Sequence, residues 1–289
     1  MSRSALGRLS LPGGRSLDLS GPPLVMAIIN RTDDSFYAPS RVRPDEAAER
    51  ALRAADAGAA IVDIGGESTR PGAAYVSAEE ELDRVLPVVR ALRARSGVAI
   101  SVDTRKAAVA AAALEAGADI VNDVSALEDD PELGPVCARY GAAVVLMHKK
   151  GIPADMQDAP YYDDVVGEVA AYLSAAVRRA EAAGIASDRI VVDPGIGFGK
   201  RVEDNLDLLA RLAEITPGSY PVLVGLSRKS FIGAITGRGP ELRIAGTIAA
   251  NAAAMARGAR ILRVHDVEEA VDLIRVMAAI DSRSGGRKG

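Results

Sequence analysis

The sequence predicts an α/β chain folded as a (β/α)8 barrel with a short N-terminal β-hairpin. Eight short apolar, β-branched runs alternate with Ala-rich segments of helical period along 289 residues. The runs are apolar at consecutive positions, which buries both faces, as in a parallel sheet covered by helices. An open, doubly wound sheet would show the same alternation, but no Gly-rich dinucleotide fingerprint follows the first run.

In chain order, residues 7 to 19, GRLSLPGGRSLDL, alternate apolar and polar about a Pro-Gly-Gly turn and read as the hairpin. The strand runs follow: LVMAIIN, AAIVDIGG, VAISVD, DIVNDV, AAVVLMH, RIVVDPG, YPVLVGLS and RILRVH. Among the helices between them, residues 78 to 95 place Leu82, Val85, Leu86, Val89 and Leu92 on one face, behind a Ser77/Glu80 capping box. Residues 163 to 183 do the same with Val165, Val166, Val169, Tyr172, Leu173 and Val177, and stop at Gly184. The last helix opens at Asp266, with Glu269 three residues on, and turns Ala270, Leu273, Ile274, Met277 and Ile280 inward. No linker divides the chain, so one domain is expected over 1–289, with a disordered tail at about 282–289.

Composition narrows the classes. Hydrophobic residues make up 48% of the chain but aromatics only 3%, with no Trp, so Ala, Val, Ile and Leu must build the core. A formal net charge of −4 argues against general nucleic-acid binding, which needs a basic face. One cysteine, Cys137, rules out an internal disulfide framework, and with two histidines it disfavours a Cys/His zinc site. No run reaches the ~18 apolar residues of a membrane span, and the N-terminus MSRSALGRLSLPGG lacks the apolar core of a signal peptide. A cytoplasmic protein with neither nucleic-acid nor membrane partner is the expectation.

In such a barrel the site lies at the C-terminal ends of the strands. Here they end in Asn30; Asp63, with Glu67, Thr69 and Arg70 beyond; Asp103; Asn122 and Asp123; Met147 and His148; Asp193, before PGIGFGK; Ser227 to Lys229; and Arg263 and His265. Taken alone, Asp103 or Asp266 reads best as a helix cap, and a lone His as a satisfied surface residue. Polar groups at every one of the strand ends are not explained by capping; they read as a site. Asp103, Asn122 and Asp193 suit a flat heterocycle rich in N–H donors and ring nitrogens. Arg70, Lys229, Arg263 and His265 suit an anion such as a diphosphate. Mg2+ would be held by oxygen ligands and the substrate's own phosphates.

The chain resembles the dihydropteroate synthases. The segments that carry the resemblance are IINRTDDSF, DIGGESTRPGA, SVDTRK, VNDVSA, LMHKKGIPADMQ, DPGIGFGK, GLSRKSFIG and RVHDV, in family order over roughly residues 24 to 280. The resemblance implies condensation of 6-hydroxymethyl-7,8-dihydropterin diphosphate with 4-aminobenzoate, giving 7,8-dihydropteroate and diphosphate in folate synthesis. It implies a sulfonamide target and a homodimer. Carried onto matching positions, Asp103, Asn122, Asp193 and Lys229 bind the pterin, and Met147, Phe198 and Gly225 shape its pocket. Asn30 holds Mg2+ against the diphosphate, and Arg70, Arg263 and His265 hold the diphosphate. Thr69, Pro71 and Ser230 help form the aminobenzoate site. The catalytic roles fall to Lys229, Arg70, Asp103 and Asp34, while Arg228 is left to a structural role.

The first loop departs from the family. Many members read NVTPDSFSDGG where this chain reads NRTDDSFYAPS, so Arg31, Asp33, Tyr37, Ala38, Pro39 and Ser40 replace the usual residues. Pro39 and Ser40 stand where two glycines are common, which should stiffen the loop. Lys149 also stands where Met is common. Two readings follow: a working synthase in which Asp33 or Asp34 supplies the missing carboxylate, or a diverged paralogue that binds pterin and catalyses poorly. Pterin-dependent methyltransferases share the barrel but have no use for STRPG or SRKSF.

Overall fold

The computed structural model describes residues 7–30, 44–67, 75–151, 160–215 and 220–284. The hairpin comprises β1 (Arg8–Ser10) and β2 (Ser16–Asp18), antiparallel, with Leu9 opposite Leu17. Then β3 (Leu24–Asn30), α1 (Pro44–Asp56), β4 (Ile61–Gly65), α2 (Ala78–Arg95), β5 (Ala99–Asp103) and α3 (Ala107–Glu115) follow. The chain continues through β6 (Ile120–Asp123), α4 (Leu133–Tyr140), β7 (Ala143–Met147), α5 (Val165–Ala182), β8 (Ile190–Asp193) and α6 (Val202–Ala210). It ends with β9 (Val222–Val224), α7 (Ser230–Thr236), α8 (Ile244–Met255), β10 (Ala259–Val264) and α9 (Val267–Ser284). Strands β3 to β10 form a closed parallel barrel, with β10 pairing both β9 and β3. The expected (β/α)8 barrel and its hairpin are both present.

Alternation along each strand sorts the side chains into two cores. Val25, Ala27, Val62, Ile64, Ile100, Val102, Val144 and Leu146 point outward and pack with the helices. Met26, Ile61, Ala99, Ile120, Ala143, Val145, Val191, Leu223 and Ile261 point into the barrel. Leu9, Leu11 and Leu19 of the hairpin join that interior cluster, so the hairpin plugs the N-terminal end of the barrel. Polar anchors hold the plug: Ser10 Oγ donates to Asp188 at 2.7 Å and Arg15 to Asp119 at 2.6 Å. Asp119 also accepts from Arg93 and from the Ile100 amide. With one end sealed, the open end is where the interior positions turn polar.

The helices form as their periodicity requires, with two adjustments. Ser77 Oγ caps α2 by accepting from the Glu80 amide, but the Glu80 carboxylate pairs with Arg84 rather than closing a capping box. In α9, Ala270 is buried, whereas Ile280, expected to face inward, is 56% exposed. The helix continues to Ser284, and residues 285–289 lie outside the described part.

Candidate active site

Stepping two residues along each strand from the interior apolar layer reaches the polar ring. From Ile61 this gives Asp63 and then Gly65; from Ala99, Ser101 and then Asp103; from Ile120, Asn122; from Val145, Met147; from Val191, Asp193; from Ile261, Arg263. The register sets Asn30 beside Gly65, Gly65 beside Asp103, Asp103 beside Asn122, and Met147 beside Asp193. Asp123 points the other way, and its carboxylate accepts from Ser125 and the Leu127 amide. There it holds a turn in which Ala126 and Leu127 have φ of 52° and 65°.

At the centre, Arg263 Nε donates to Asp63 and Nη2 to Asp103, each at 2.7 Å. Asn122 Nδ2 donates to the same Asp63 oxygen at 3.1 Å. Asp103 therefore does not cap a helix, and two of the Arg263 donors are taken by carboxylates. Burial pushes the Asp103 carboxyl up to about 7; Arg263 opposes this, while Asp63, Glu81 and Asp123 add to it. Burial works against the charge of Arg263, but Asp63 and Asp103 outweigh it and raise its affinity for the proton. Asp63 Oδ1 and the neighbouring Ser101 hydroxyl are buried with no hydrogen-bond partner among the described residues. Such orphaned groups are costly unless a bound molecule meets them.

The opposite wall is built by the loop after β8. Gly195, Gly197 and Gly199 have φ of 64°, 82° and 62°. A Cβ on Gly195 would overlap the His148 carbonyl, and one on Gly199 the Lys150 carbonyl. Gly195→Ala is therefore expected to cost about 1–3 kcal/mol from its backbone alone, with the clash in addition; a denaturant midpoint equal to wild type would contradict this. The loop brings the Gly195 amide onto Asp193 Oδ1 at 2.7 Å. Burial raises the Asp193 carboxyl, and that amide, Lys229, Arg263 and Lys200 pull it back. The loop also sets the Phe198 ring with the Lys229 ammonium 4.0 Å from its centroid, a cation–π contact.

Beyond β9, a Cβ on Gly225 would meet nothing within 4 Å, so open space lies in front of it. Met147 is buried, Ser230 is exposed at the start of α7, and His265 Nδ1 lies 3.0 Å from Ser227 Oγ. Arg228 takes the structural role expected of it: at a φ of 57° it turns away and pairs through Nε and Nη2 with Asp266. That pairing also accounts for Asp266. At the rim, Glu67 accepts from Lys106 at 2.6 Å, Arg105 at 3.1 Å and the Val76 amide at 3.2 Å. Lys149, unusual in the sequence, pairs with Asp129. Thr69, Arg70, Pro71, Asp34 and the altered first loop lie outside the described residues.

Comparison with known proteins follows the same outline. A family model for pterin binding enzymes matches residues 26–265, from the first barrel strand to the last. Dihydropteroate synthase of Escherichia coli K12 is 48% identical over 92% of this chain and 94% of its own. The chain belongs to the dihydropteroate synthase family. Among solved family members, the Yersinia pestis dihydropteroate synthase with a sulfonamide drug superposes with a TM-score of 0.90 at 45% identity, covering 95% of this chain and 99% of that one. The Burkholderia cenocepacia dihydropteroate synthase complexed with 7,8-dihydropteroate gives 0.88 at 42% identity, covering 97% and 99%. Asp63 and His148 stand among the strand ends, and Lys200 within PGIGFGK, but strand-end reading gives none of them a role; the structure supplies their partners, Arg263 and Asn122 for Asp63, and each other for His148 and Lys200. Alternation from Ile61 is the signal that would have turned Asp63 to the barrel interior.

Proposed function

We propose that this dihydropteroate synthase family member joins 6-hydroxymethyl-7,8-dihydropterin diphosphate to 4-aminobenzoate in the cytoplasm. The products are 7,8-dihydropteroate and diphosphate. The observation that carries the reading is the meeting of Asp103, Asn122, Asp193 and Lys229 at one barrel mouth, in a chain so similar to known synthases.

The pterin ring enters edge-on between Met147 and Phe198, with the open space at Gly225 leaving room for it. Asp193 and Asn122 accept from its N–H groups, and Lys229 donates to its ring acceptors. The C–O bond to the diphosphate breaks with its electron pair on the departing oxygen, leaving a cation on the exocyclic carbon that the reduced ring shares. The floor carries two carboxylates to one guanidinium, so its field favours that cation when Asp103 is ionised. The amine of 4-aminobenzoate then forms the new N–C bond and releases a proton to solvent. Ser230, Thr69 and Pro71 position the aminobenzoate; Arg70, His265 and Arg263 face the leaving diphosphate, with Asp34 completing the first loop's part.

Mg2+ fits this arrangement as an ion brought largely by the substrate. Asn30 ends β3 exposed, and its Oδ1 would lie 3.1 Å from a Cβ on Gly65, which places one hard oxygen beside Asp103. Mg2+ takes most of its shell from water and phosphate; it would neutralise the diphosphate as that group departs. We further assign a homodimer through the late helices, because Leu242 just before α8 and Val276 and Ile280 on α9 are 59%, 59% and 56% exposed. A monomer in sedimentation at micromolar concentration would reject this assignment.

The deciding experiment follows diphosphate release from the pterin diphosphate with and without 4-aminobenzoate, and with and without Mg2+. Release that needs both and yields dihydropteroate supports the reading. Tight pterin binding without release would make the chain a diverged pterin-binding paralogue.

A further inference from the structure

Lys200 is buried at 3% exposure, and the polar partners of its ammonium are uncharged. Its Nζ lies 2.9 Å from His148 Nδ1 and donates to the carbonyls of Gly195 at 2.9 Å and Phe198 at 3.1 Å. Placing a lysine charge there is costly, since burial, not repulsion, is the main cause that pushes its ammonium down to about 7. The same burial, with Lys200 and Lys150 adding, drives His148 down to about 2, so its ring is neutral and Nδ1 accepts the lysine proton. His148 is in turn boxed by Tyr172, edge-on with centroids 4.9 Å apart, and by Tyr162, whose hydroxyl donates to Gly199 O at 2.8 Å.

The carbonyls that Lys200 grips belong to the loop whose other atoms reach the site. Gly195 gives its amide to Asp193, and Phe198 carries the ring beneath Lys229. One buried cation therefore ties the end of β7 to both ends of that turn. We propose that Lys200 is a positioning residue for the pterin half of the reaction, fixing the Asp193 carboxylate and the Phe198–Lys229 pair from behind without touching substrate. This rests on the synthase reading of the site. The charged groups around Lys200 are Asp193 from β8, Lys229 after β9, Asp204 from α6 and Lys150 after β7. The hydrogen bonds of Nζ go instead to the three neutral acceptors, which define its place.

The test compares wild type with Lys200→Met, which keeps an unbranched stem and removes the three donors. KM is measured for each substrate, together with the affinity for free 6-hydroxymethylpterin by calorimetry. The expected result is pterin affinity weakened, and KM for the pterin diphosphate raised, by about tenfold or more, as for a lost hydrogen bond from a charged group. KM for 4-aminobenzoate should stay within about twofold of wild type. Both KM values unchanged, or both raised alike, would overturn the proposal, because a merely structural lysine would not separate the two substrates. If Lys200→Met fails to fold, Tyr162→Phe removes the hydroxyl that holds Gly199 on the same turn. It should raise the pterin KM alone, by about threefold; no selective change would overturn the proposal. Wild type that neither binds pterin nor turns over would instead remove the synthase reading itself.

Discussion

Lys229→Ala lowers kcat/KM by about a hundredfold to a thousandfold, the scale of losing one preorganised charged donor in a dry site. The ammonium stands 4.0 Å from the Phe198 centroid, and its aliphatic stem packs at Gly197, where an added Cβ would lie 3.1 Å from Lys229 Cδ. Removing it takes away a donor to the pterin and one of the charges that hold the Asp193 carboxyl down. Asp193 is then easier to protonate, so the loss should be greatest at low pH and narrow as pH rises. The fold survives, because Lys229 is only the residue before α7, contributes no side-chain cap, and leaves Phe231 and Ile232 buried behind it. Wild-type turnover in a folded Lys229→Ala protein would remove this residue from the site.

Asp103→Asn should cost about a hundredfold in kcat/KM, roughly 2.7 kcal/mol of transition-state stabilisation. The amide keeps the shape but gives up the charge that Arg263 Nη2 meets at 2.7 Å; Asp63 retains the other arm of the guanidinium. Two pH effects separate this from simple damage. Wild-type pterin turnover should rise with pH as the Asp103 carboxyl ionises near 7, and the variant should lack that limb. For stability the sign is opposite. A carboxyl raised in the folded state from 3.8 to about 7 stabilises fully below 3.8, and that contribution is lost as pH rises through 7. At pH 8 the variant is relieved of a buried charge, so its melting temperature should lie close to wild type. A variant with wild-type pterin affinity and an unchanged pH limb would show that Asp103 plays no part in binding.

The barrel was legible because β-branched runs and helical periods repeat, and each of the eight runs named from sequence is a barrel strand. The candidate site was legible only as a list of strand ends. Strands buried on both faces give no hydropathy signal for which side chains point inward, so Asn122 and Asp123 looked equivalent until the barrel turned one to the mouth and the other to a turn. Pairings across 160 to 200 residues, such as Arg263 with Asp103 and Asp63, have no local pattern at all. Lys200 escaped notice for the same reason: in sequence it is one more lysine after a Gly-rich turn. Its meaning comes from the His148 ring brought to it by a neighbouring strand.

The plug at the bottom of the barrel bears on how the chain is made. Leu9, Leu11 and Leu19 seat on a cluster that includes Leu223 and Ile261, and β3 finds its second neighbour only in β10. During synthesis on the ribosome, the first strands therefore emerge long before the residues that cover them. Until β10 has emerged, β3 and β9 each keep an open, apolar edge of the kind that pairs with other chains. The nascent hairpin has no finished floor to close. Completion of this protein is thus a late event that joins both ends of the chain at once, and the interval before it is when a chaperone would be needed most.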